Sequence, residues 1–217
     1  MEIDLLVNYP KAKRNVDERG LVKTAEDRRI GCLFGEQYFD GERRFGYGGY
    51  RYNARFWEPV APTFQQHYKL GAGSTILDVG CGKGFMMHDF ARLISGIKVQ
   101  GIDISEYAVA NAMEDMRPFI KVGNAKQLPF ADKSFDLVVS INTVHNLALE
   151  ECKQSLREIQ RVSRKHAFVT MDAYRTSEEK KRMDAWNLTA LTYMHVDEWK
   201  ALFKDVGYTG DFYWFIP

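Results

Sequence analysis

Nine consecutive residues, Ile76 to Gly84, constrain the fold more than any other part of the chain. The first four, Ile76-Leu77-Asp78-Val79, are apolar apart from the acid, and glycines then occupy positions 80, 82 and 84 before an apolar stretch begins. This order predicts a strand, a tight loop and the start of a helix. Such a loop holds a small charged ligand against backbone N–H groups, which a larger side chain would keep at a distance. Residues 80–84 are called the glycine loop below.

The composition is that of an ordinary globular protein. Of the 217 residues, 45% are hydrophobic and 27% are charged, with a formal net charge of +1. This balance gives no electrostatic case for nucleic acid or an anionic membrane as a partner, and no apolar run approaches the roughly 18 residues of a spanning helix. Residues 1–15 lack the apolar core of a secretion signal. We therefore expect a cytoplasmic monomer or homodimer that acts on a small molecule, with no nucleic acid and no membrane as partner.

The three cysteines give no sign of a metal site or a disulfide framework. They stand at Cys32, Cys81 and Cys152, too scattered for a metal knuckle and odd in number. No H-x-x-x-H motif or paired-acid spacing suggests a catalytic metal either. We expect no metal and a reducing environment.

Strand-like and helix-like segments alternate from residue 75 onward. The strand-like runs are Thr75–Val79, Lys98–Ile102, Phe119–Val122, Phe135–Ile141, Ala167–Met171 and Phe212–Ile216. Apolar residues at helical spacing lie between them: Met86, Phe90, Leu93 and Ile94, then Ala108, Ala112 and Met116 after a capping Ser105, then Cys152, Leu156 and Ile159. This alternation predicts an α/β fold, a doubly wound, mostly parallel Rossmann-like sheet of about six or seven strands with helices on both faces. The loops that follow the strands then share one edge, where ligands bind.

The chain divides into an N-terminal part, residues 1–73, and the α/β domain, residues 74–217. Residues 1–30 include a charged run with Lys13, Arg14 and Asp17, which indicates a solvated arm or a helix packed on a neighbour. Residues 34–57, called the cover segment below, combine nine aromatic rings with glycines and arginines and match neither helix nor strand periodicity. We expect an ordered loop or lid over the open edge of the sheet. The alternative is that its rings only pack the N-terminal arm against the sheet.

Three polar positions predict what the site binds. Asp78 ends the strand before the glycine loop, where a carboxylate would repel a pyrophosphate but suits an ammonium group. Asp103 closes the second strand, at the position that accepts both hydroxyls of a ribose. Asn124 follows the third strand, and its side-chain carbonyl can accept from the amino group of adenine. A ligand with an amino-acid head, a ribose and an adenine fits these three positions.

The motifs ILDVGCGKG, GIDIS, GNAKQLPF and FDLVVSINTVHNL, in this order, resemble those of the class I S-adenosylmethionine-dependent methyltransferases, in particular small-molecule enzymes with a Methyltransf_11-type core. The resemblance covers about residues 74–172. It implies that S-adenosylmethionine is the cofactor and S-adenosylhomocysteine the product. It also implies a set of cofactor-binding positions: Asp78, Gly80, Cys81, Gly82 and Gly84 for the methionine part, Asp103 and Ile104 for the ribose end, Asn124 and Ala125 for adenine, and Asn142 beside the methyl donor.

Two departures from the family pattern stand out. Asn124 occupies a position that is commonly Asp, and its amide can still accept from the adenine amino group. The family sheet usually closes with an antiparallel hairpin, whereas residues 208–217 leave room for about one final strand. We expect a trimmed sheet.

Methyl transfer from a sulfonium requires an aligned nucleophile, exclusion of water and, for some acceptors, removal of a proton. His145 follows the fourth strand on the ligand edge and is the first candidate for a base, with a structural hydrogen-bonding role as the alternative. Tyr50 is the second catalytic candidate, because ring faces in the cover segment would shield and favour a sulfonium.

The candidate acceptor-binding residues come from two regions of the chain. They are Tyr47 and Tyr52 in the cover segment, Tyr174 and Arg175 after the fifth strand, and Trp186. The fork of Arg175 suits a carboxylate or phosphate. Each of these side chains has packing within the protein as its alternative role.

The favoured function is therefore methyl transfer to an oxygen or nitrogen atom of a small molecule. The alternative is a catalytically silent S-adenosylmethionine-binding module that acts as a regulator or partner subunit. Nicotinamide-dependent redox chemistry is disfavoured, because Phe85 replaces the glycine of the dinucleotide fingerprint and Asp78 would repel a pyrophosphate.

Overall fold

The structure is a computed structural model, which describes residues 1–11, 16 and 23–217. The charged run with Lys13, Arg14 and Asp17 lies outside the described residues. The helices are α1 (Ala25–Gly31), α2 (Glu36–Phe39), α3 (Ala61–Tyr68), α4 (Phe85–Leu93), α5 (Glu106–Ala110), α6 (Leu149–Val162), α7 (Ser177–Trp186) and α8 (Val196–Val206). The strands are β1 (Thr75–Val79), β2 (Lys98–Asp103), β3 (Ile120–Val122), β4 (Phe135–Ile141), β5 (Ser163–Tyr174), β6 (Met194–His195) and β7 (Asp211–Phe215). Short 3₁₀ turns cover Arg117–Phe119 and Val144–Asn146. No helix in the described part of the chain is long and apolar enough to cross a membrane.

The strands form a seven-stranded sheet in the order β3-β2-β1-β4-β5-β6, with β7 also paired to β5. Every one of these strand pairs is parallel. The chain runs from β1 outward to β3, returns to the other side of β1 as β4, and continues outward to β5. This reversal next to β1 is the switch point at which ligands bind in open α/β sheets. The predicted doubly wound fold is confirmed.

Alternate strand residues feed two separate apolar layers, as a period of two requires. One face packs on α3 and α4 and includes Ile76, Leu137, Phe168, Phe64 and Phe90. The other face packs on α6 and α8 and includes Leu77, Val138, Val169, Leu156 and Trp199. Phe64 and Leu5 from the N-terminal part belong to the same apolar cluster as the strands. The division of the chain at residue 73 stays a prediction.

The C-terminal residues form one strand, β7, as their small number predicted, and it pairs parallel to β5. The chain start pairs along the outer side of β7: Ile3 N–H donates to the Phe212 carbonyl and Phe212 N–H to the Met1 carbonyl, both at 3.0 Å. Unpaired strand edges invite pairing with other chains, and this contact occupies part of the β7 edge.

The predicted helix through Ala108, Ala112 and Met116 is wrong beyond Ala110. The chain leaves the helix there, and Met113 N–H donates to the Lys83 carbonyl in the glycine loop at 3.0 Å. Ala112 and Met116 are still buried, 4% and 5% exposed, because the bent segment packs under the loop. Tertiary contact therefore overrides the local helical pattern here.

A buried carboxylate at the amino edge of the sheet ties three strands together. Asp136 of β4 accepts from the Thr75 N–H at 3.0 Å and from the Thr75 hydroxyl at 3.1 Å. It also pairs with Arg164 at 2.9 Å and Lys165 at 3.0 Å. Burial alone would raise the pKa of Asp136, but these donors outweigh it and hold the pKa below its usual range.

We expect Asp136→Asn to lower the free energy of unfolding at pH 7 by about 1–3 kcal/mol, because charge-assisted hydrogen bonds are lost. The pKa of Asp136 is lower in the folded state, so its contribution is present above the unfolded value of 3.8 and is lost as pH falls below it. Urea unfolding at pH 7 and pH 3 checks this. The difference in the free energy of unfolding between variant and wild type should be smaller at pH 3 than at pH 7. Asp205→Asn, at a side chain 61% exposed, is the control and should change little. A gap that is equal at both pH values would contradict the role of the charge.

Candidate functional site

The glycine loop joins β1 to α4 in a conformation that only glycine adopts readily. The φ angles are 84° at Gly80, 55° at Gly82 and 80° at Gly84. A Cβ on Gly80 would lie 2.1 Å from Oγ1 of Thr143, and one on Gly84 would lie 2.7 Å from Cδ1 of Ile120. Backbone angle and close packing therefore both require glycine at positions 80 and 84.

The end of β2 fixes the loop through hydrogen bonds. The Ile102 carbonyl accepts from the N–H groups of Gly80 at 2.7 Å and Cys81 at 3.2 Å. Oδ2 of Asp103 accepts from Gly82 N–H at 2.7 Å, and Oδ1 accepts from Ser105 N–H at 2.8 Å. A carboxylate oxygen has two acceptor sites, so Asp103 keeps capacity for hydroxyl donors from a ligand.

Two acids are buried beside the loop. Asp78 is 4% and Asp103 is 8% exposed. Burial and the nearby charge of Asp103 raise the pKa of Asp78 to about 8, and no hydrogen bond from the described residues reaches the Asp78 carboxylate to offset them. Burial also raises the pKa of Asp103, although the Ser105 and Gly82 N–H groups lower it in part. A positively charged group placed here would compensate both carboxylates.

Cys81 contributes backbone and not a thiol to the loop. Its side chain is 5% exposed, and a Cβ on Gly101 of β2 would lie 2.7 Å from its sulfur. Burial raises the pKa of this thiol well above its usual value, so it stays protonated and unreactive. Across residues 1–11, 16 and 23–217, no group of three or more His, Cys, Asp or Glu side chains is arranged to hold a metal ion.

The predicted adenine-side residues lie at the carboxyl ends of β2 and β3. Ile104 is 54% exposed directly after Asp103. Oδ1 of Asn124 accepts from Lys126 N–H at 3.0 Å and retains a second acceptor site. Ala125 packs against the apolar cluster under the sheet. The arrangement offers an apolar surface at Ile104 and an acceptor at Asn124.

Asn142 lies at the switch point, directly after β4, and has a left-handed φ of 51°. Its N–H donates to Oγ1 of Thr170 at 2.9 Å, and the Thr170 hydroxyl donates to Oδ1 of Asn142 at 2.9 Å. Left-handed non-glycine residues persist where surrounding contacts hold them, and they concentrate at functional sites.

His145 is buried, 4% exposed, in the 3₁₀ turn after β4. Its Nδ1 accepts from Asp172 N–H at 3.0 Å, and its Nε2 lies 3.7 Å from Oδ1 of the same residue. Burial lowers the pKa of His145, although the Asp172 carboxylate raises it in part. The ring is therefore neutral at pH 7, with its proton on Nε2. It accepts a further proton only if the Nδ1 hydrogen bond is exchanged.

The cover segment lies directly on the glycine loop. A Cβ on Gly82 would lie 3.2 Å from Cε1 of Tyr50, 3.5 Å from its hydroxyl and 3.6 Å from Cε1 of Phe39. The Tyr50 ring stacks at 4.7 Å on Phe85 of α4 and lies 4.2 Å from the Tyr47 ring. Burial raises the pKa of Tyr50 well above 10, and the charges of neighbouring groups add to the shift. Its hydroxyl is therefore a hydrogen-bond donor and not a base at neutral pH.

The two other cover-segment candidates, Tyr47 and Tyr52, have different surroundings. Tyr47 is 46% exposed, and its ring lies 5.2 Å from that of Tyr38. Tyr52 reaches the outer side of α4, where its hydroxyl donates to Oδ1 of the fully buried Asp89 at 2.6 Å. Tyr52 thus anchors the cover segment, whereas Tyr47 presents a ring to solvent.

The structure places Tyr174 and Arg175 at the end of β5 with partners of their own. The Tyr174 ring lies 5.9 Å from His195. The Arg175 guanidinium pairs with Glu2 at 3.4 Å and is turned toward the β7 edge. Trp186, at the end of α7, packs at 6.0 Å on Phe215. The structure does not bring these three side chains into contact with the glycine loop, and their acceptor-binding role stays a prediction.

Sequence reasoning missed two residues at the centre of this arrangement. Lys83 belongs to the glycine loop but is 7% exposed, and its ammonium lies 2.6 Å from Oδ2 of Asp40 in the cover segment. The one signal in the sequence is a lone cation inside a glycine loop. Its partner lies 43 residues away, and nothing in local periodicity identifies it.

Residues 77–171 match a family model described as a methyltransferase domain, Methyltransf_11. A sterol 24-C-methyltransferase of Saccharomyces cerevisiae is 27% identical over 233 aligned residues, which cover 91% of this chain and 59% of that protein. A tRNA (carboxymethyluridine(34)-5-O)-methyltransferase of Arabidopsis thaliana is 29% identical over 145 residues, which cover 66% and 33% of the two chains. Among solved structures, the YcgJ protein of Bacillus subtilis shares the fold, with a TM-score of 0.55 at 20% identity over 67% of this chain and 66% of that one.

The chain spans 33% and 59% of the lengths of these two curated relatives. By their names, one relative acts on a sterol and the other on a tRNA. The likeness therefore supports the common core, residues 77–171, and does not select an acceptor.

We expect Asp78→Asn to stabilise the protein at alkaline pH, because it removes a buried charge. The pKa of Asp78 is about 8 in the folded state, against an ordinary value of 3.8. The folded state therefore loses stability as the pH rises from 3.8 to about 8. Urea unfolding at pH 6 and pH 9 measures the effect. The free energy of unfolding of the variant should exceed that of wild type by a few kcal/mol, on the order of 1.4 kcal/mol for each pKa unit. This difference should be larger at pH 9 than at pH 6. Equal pH dependence of the two proteins would contradict the raised pKa.

Proposed function

We propose that this chain is a class I S-adenosylmethionine-dependent methyltransferase, as the match of residues 77–171 to a methyltransferase domain supports, and that it transfers a methyl group to an oxygen or nitrogen atom of a small molecule. The observation that carries the proposal is the carboxylate of Asp78, buried beside the glycine loop without a hydrogen bond from the described residues. Such a group favours a cationic ligand, and it disfavours the pyrophosphate of a dinucleotide. The residues present therefore fit S-adenosylmethionine.

The cofactor-binding roles follow from where the side chains lie. Asp78 and the loop glycines would hold the methionine end, where a cation offsets the buried carboxylates. Asp103, with one acceptor site free on each oxygen, would bind the ribose hydroxyls. Ile104, Asn124 and Ala125 would hold the adenine.

When bound, S-adenosylmethionine would supply the sulfonium methyl group, to which an acceptor atom bonds in line as S-adenosylhomocysteine leaves. The chain has three tasks around that step. Asn142, held by Thr170 at the switch point, would border the reacting centre. The rings of Tyr50 and Phe39, packed on Gly82, would exclude water and present faces that favour a cation. His145 would take the proton of the acceptor on Nδ1 after exchange of its hydrogen bond to Asp172 N–H.

Two observations support a small acceptor. The net charge of +1 offers no broad attraction for a polyanion. The cover segment also closes over the glycine loop, which leaves less open surface at the strand ends for a macromolecule. We propose Tyr47, whose ring is exposed to solvent, as the main contact to the acceptor. Further proposed contacts, of lower weight, are Tyr52, Tyr174, Arg175 and Trp186.

A second candidate, a silent S-adenosylmethionine-binding module, is favoured by one feature. Both ring nitrogens of His145 face Asp172, so the leading base is already engaged. Incubation with methyl-labelled cofactor separates the two. The acceptor panel should hold small alcohols, amines and carboxylates, with a sterol and a tRNA pool as separate arms. Transfer to a small molecule supports the proposal, transfer only to tRNA contradicts the acceptor class, and binding without transfer to any arm favours the module.

Asp103→Ala is expected to weaken S-adenosylhomocysteine binding at least about tenfold, because hydrogen bonds to a charged acceptor contribute about 1.5–3 kcal/mol. Isothermal titration calorimetry measures this. Asp103 also holds Gly82 N–H, so Asp103→Asn, which keeps an oxygen acceptor, serves as the matched variant and should lose less affinity. Unchanged affinity in Asp103→Ala would refute the cofactor assignment.

We expect His145→Ala to lower turnover by more than it lowers cofactor affinity, since a base acts on the acceptor proton and not on cofactor binding. The pKa of His145 is lowered by burial, so the base form is present at pH 7 and turnover should fall only as pH drops below 6.5. Initial rates and calorimetry on the same preparations test both points. Turnover that survives intact in a folded variant would rule out His145 as the base.

A further inference from the structure

The cover segment folds on itself around one carboxylate. Tyr47 N–H donates to the Tyr38 carbonyl at 2.8 Å, and Gly49 N–H donates to the Phe39 carbonyl at 3.1 Å. Oδ1 of Asp40 accepts from Tyr50 N–H at 3.0 Å and so closes residues 40–50 into a compact loop. This oxygen serves the internal fold of the cover segment.

The second oxygen of Asp40 connects the cover segment to the binding site. Oδ2 accepts from the Lys83 ammonium at 2.6 Å and from the Tyr107 hydroxyl at 2.7 Å. Lys83 also donates to the Tyr50 carbonyl at 3.1 Å. Lys83 belongs to the glycine loop and Tyr107 to α5, so one carboxylate joins the cover to elements on both sides of Asp103. We call these contacts the Asp40 latch.

Solvent screens this ion pair only in part. The Lys83 side chain is 9% exposed and that of Asp40 is 28% exposed. Burial would raise the pKa of Asp40, but its donors, Lys83 first among them, outweigh burial and lower the pKa, which keeps the carboxylate charged. A partly buried, hydrogen-bonded pair costs more to break than an exposed one, because each partner would lose its compensating charge.

The latch closes the cover over groups that a cofactor must reach. Tyr50 and Phe39 lie against Gly82, and Asp78 and Asp103 behind them are 4% and 8% exposed. Rings packed on Gly82 at van der Waals distance occupy the face of the loop that such a ligand would contact. A ligand that contacts Gly82 and both acids therefore enters and leaves only when the cover moves.

We propose that the Asp40 latch is a gate whose opening sets the rates at which S-adenosylmethionine enters the site and S-adenosylhomocysteine leaves it. The inference rests on the proposed function, since it takes that cofactor as the ligand. Asp40 and Lys83 act through the cover and are positioning residues. A gate that has to open both for entry and for exit controls association and dissociation alike, so weakening it accelerates both.

The test compares two latch variants with a control from the same loop. Asp40→Asn keeps an oxygen for Tyr50 N–H but loses the ion pair, and Lys83→Met removes the cation alone. Glu42→Gln, at a side chain 69% exposed that pairs only with Arg44 among the described residues, is the control. Stopped-flow fluorescence with S-adenosylhomocysteine should show association and dissociation rate constants both raised about five- to tenfold in the latch variants. Their Kd should stay within about twofold of wild type, and the control should match wild type.

Three results would overturn the gate: wild-type rates in both latch variants, acceleration of dissociation alone, or equal acceleration in Glu42→Gln. If Lys83→Met does not fold, Tyr107→Phe, which removes one donor to the same oxygen, should raise both rates about twofold. If wild type does not bind S-adenosylhomocysteine, the proposed function fails instead. The latch is then tested by hydrogen–deuterium exchange of residues 40–50, which should be faster in Asp40→Asn than in wild type, and equal exchange would refute it.

Discussion

The attachment of the glycine loop to the end of β2 is the interaction on which the rest of the site depends. The peptide N–H groups of Gly80, Cys81 and Gly82 are directed at the Ile102 carbonyl and the Asp103 carboxylate. These bonds orient the loop and keep Asp103 in place, and they also start α4 at Phe85. The parallel pairing of β1 with both β2 and β4 brings Thr143 against Gly80. Strand register therefore determines where each ligand-facing group lies.

The burial of two acids beside the glycine loop lowers the free energy of unfolding. Asp78 and Asp103 lie beside each other with little solvent, and the pKa of each is raised in the folded state. Uncompensated buried charge costs free energy, so a fold that keeps it generally does so for function. Asp136 shows the contrast: a carboxylate just as buried, at the other end of the sheet, has four donors and a lowered pKa. Asp78 lacks such donors, which fits the ligand-binding role that we propose for it, whereas Asp136 stabilises the fold.

The sequence was sufficient for features that depend on local order. Alternating strand and helix patterns located six of the seven strands within a few residues, since β1 and β4 match their predicted bounds and β5 extends further at both ends, whereas the two-residue β6 was not predicted. Because the strands are parallel, Asp78, Asp103, Asn124 and Asn142 had to share one edge. The single strand after Tyr208 also followed from the few residues there, although the pairing of residues 1–3 on β7 did not.

What the sequence did not supply were contacts between distant segments, where pairing is set by the fold and not by spacing. Two examples are the hydrogen bond from Asp172 N–H to His145 and the ion pair of Arg175 with Glu2. Each contact occupies a side chain whose residue type alone suggested a base or an anion-binding group. The choice between a lid and a fixed aromatic core is the clearest case. Gly46, Gly48 and Gly49 permit the tight return of the cover, because a Cβ on Gly46 would lie 2.1 Å from the Tyr38 carbonyl and the other two have positive φ.

This return places Asp40 so that one oxygen faces inward and the other faces Lys83. Aromatic packing alone would favour a permanent core, since stacked rings have no reason to separate in water. The contacts of Asp40 with Lys83 and Tyr107, by contrast, can break while the internal hydrogen bonds of the cover remain and Tyr52 stays anchored to Asp89. The rings then move as one preformed unit, and the cost of opening lies in the contacts of Asp40 with Lys83 and Tyr107 and in the packing of Tyr50 on Gly82 and Phe85.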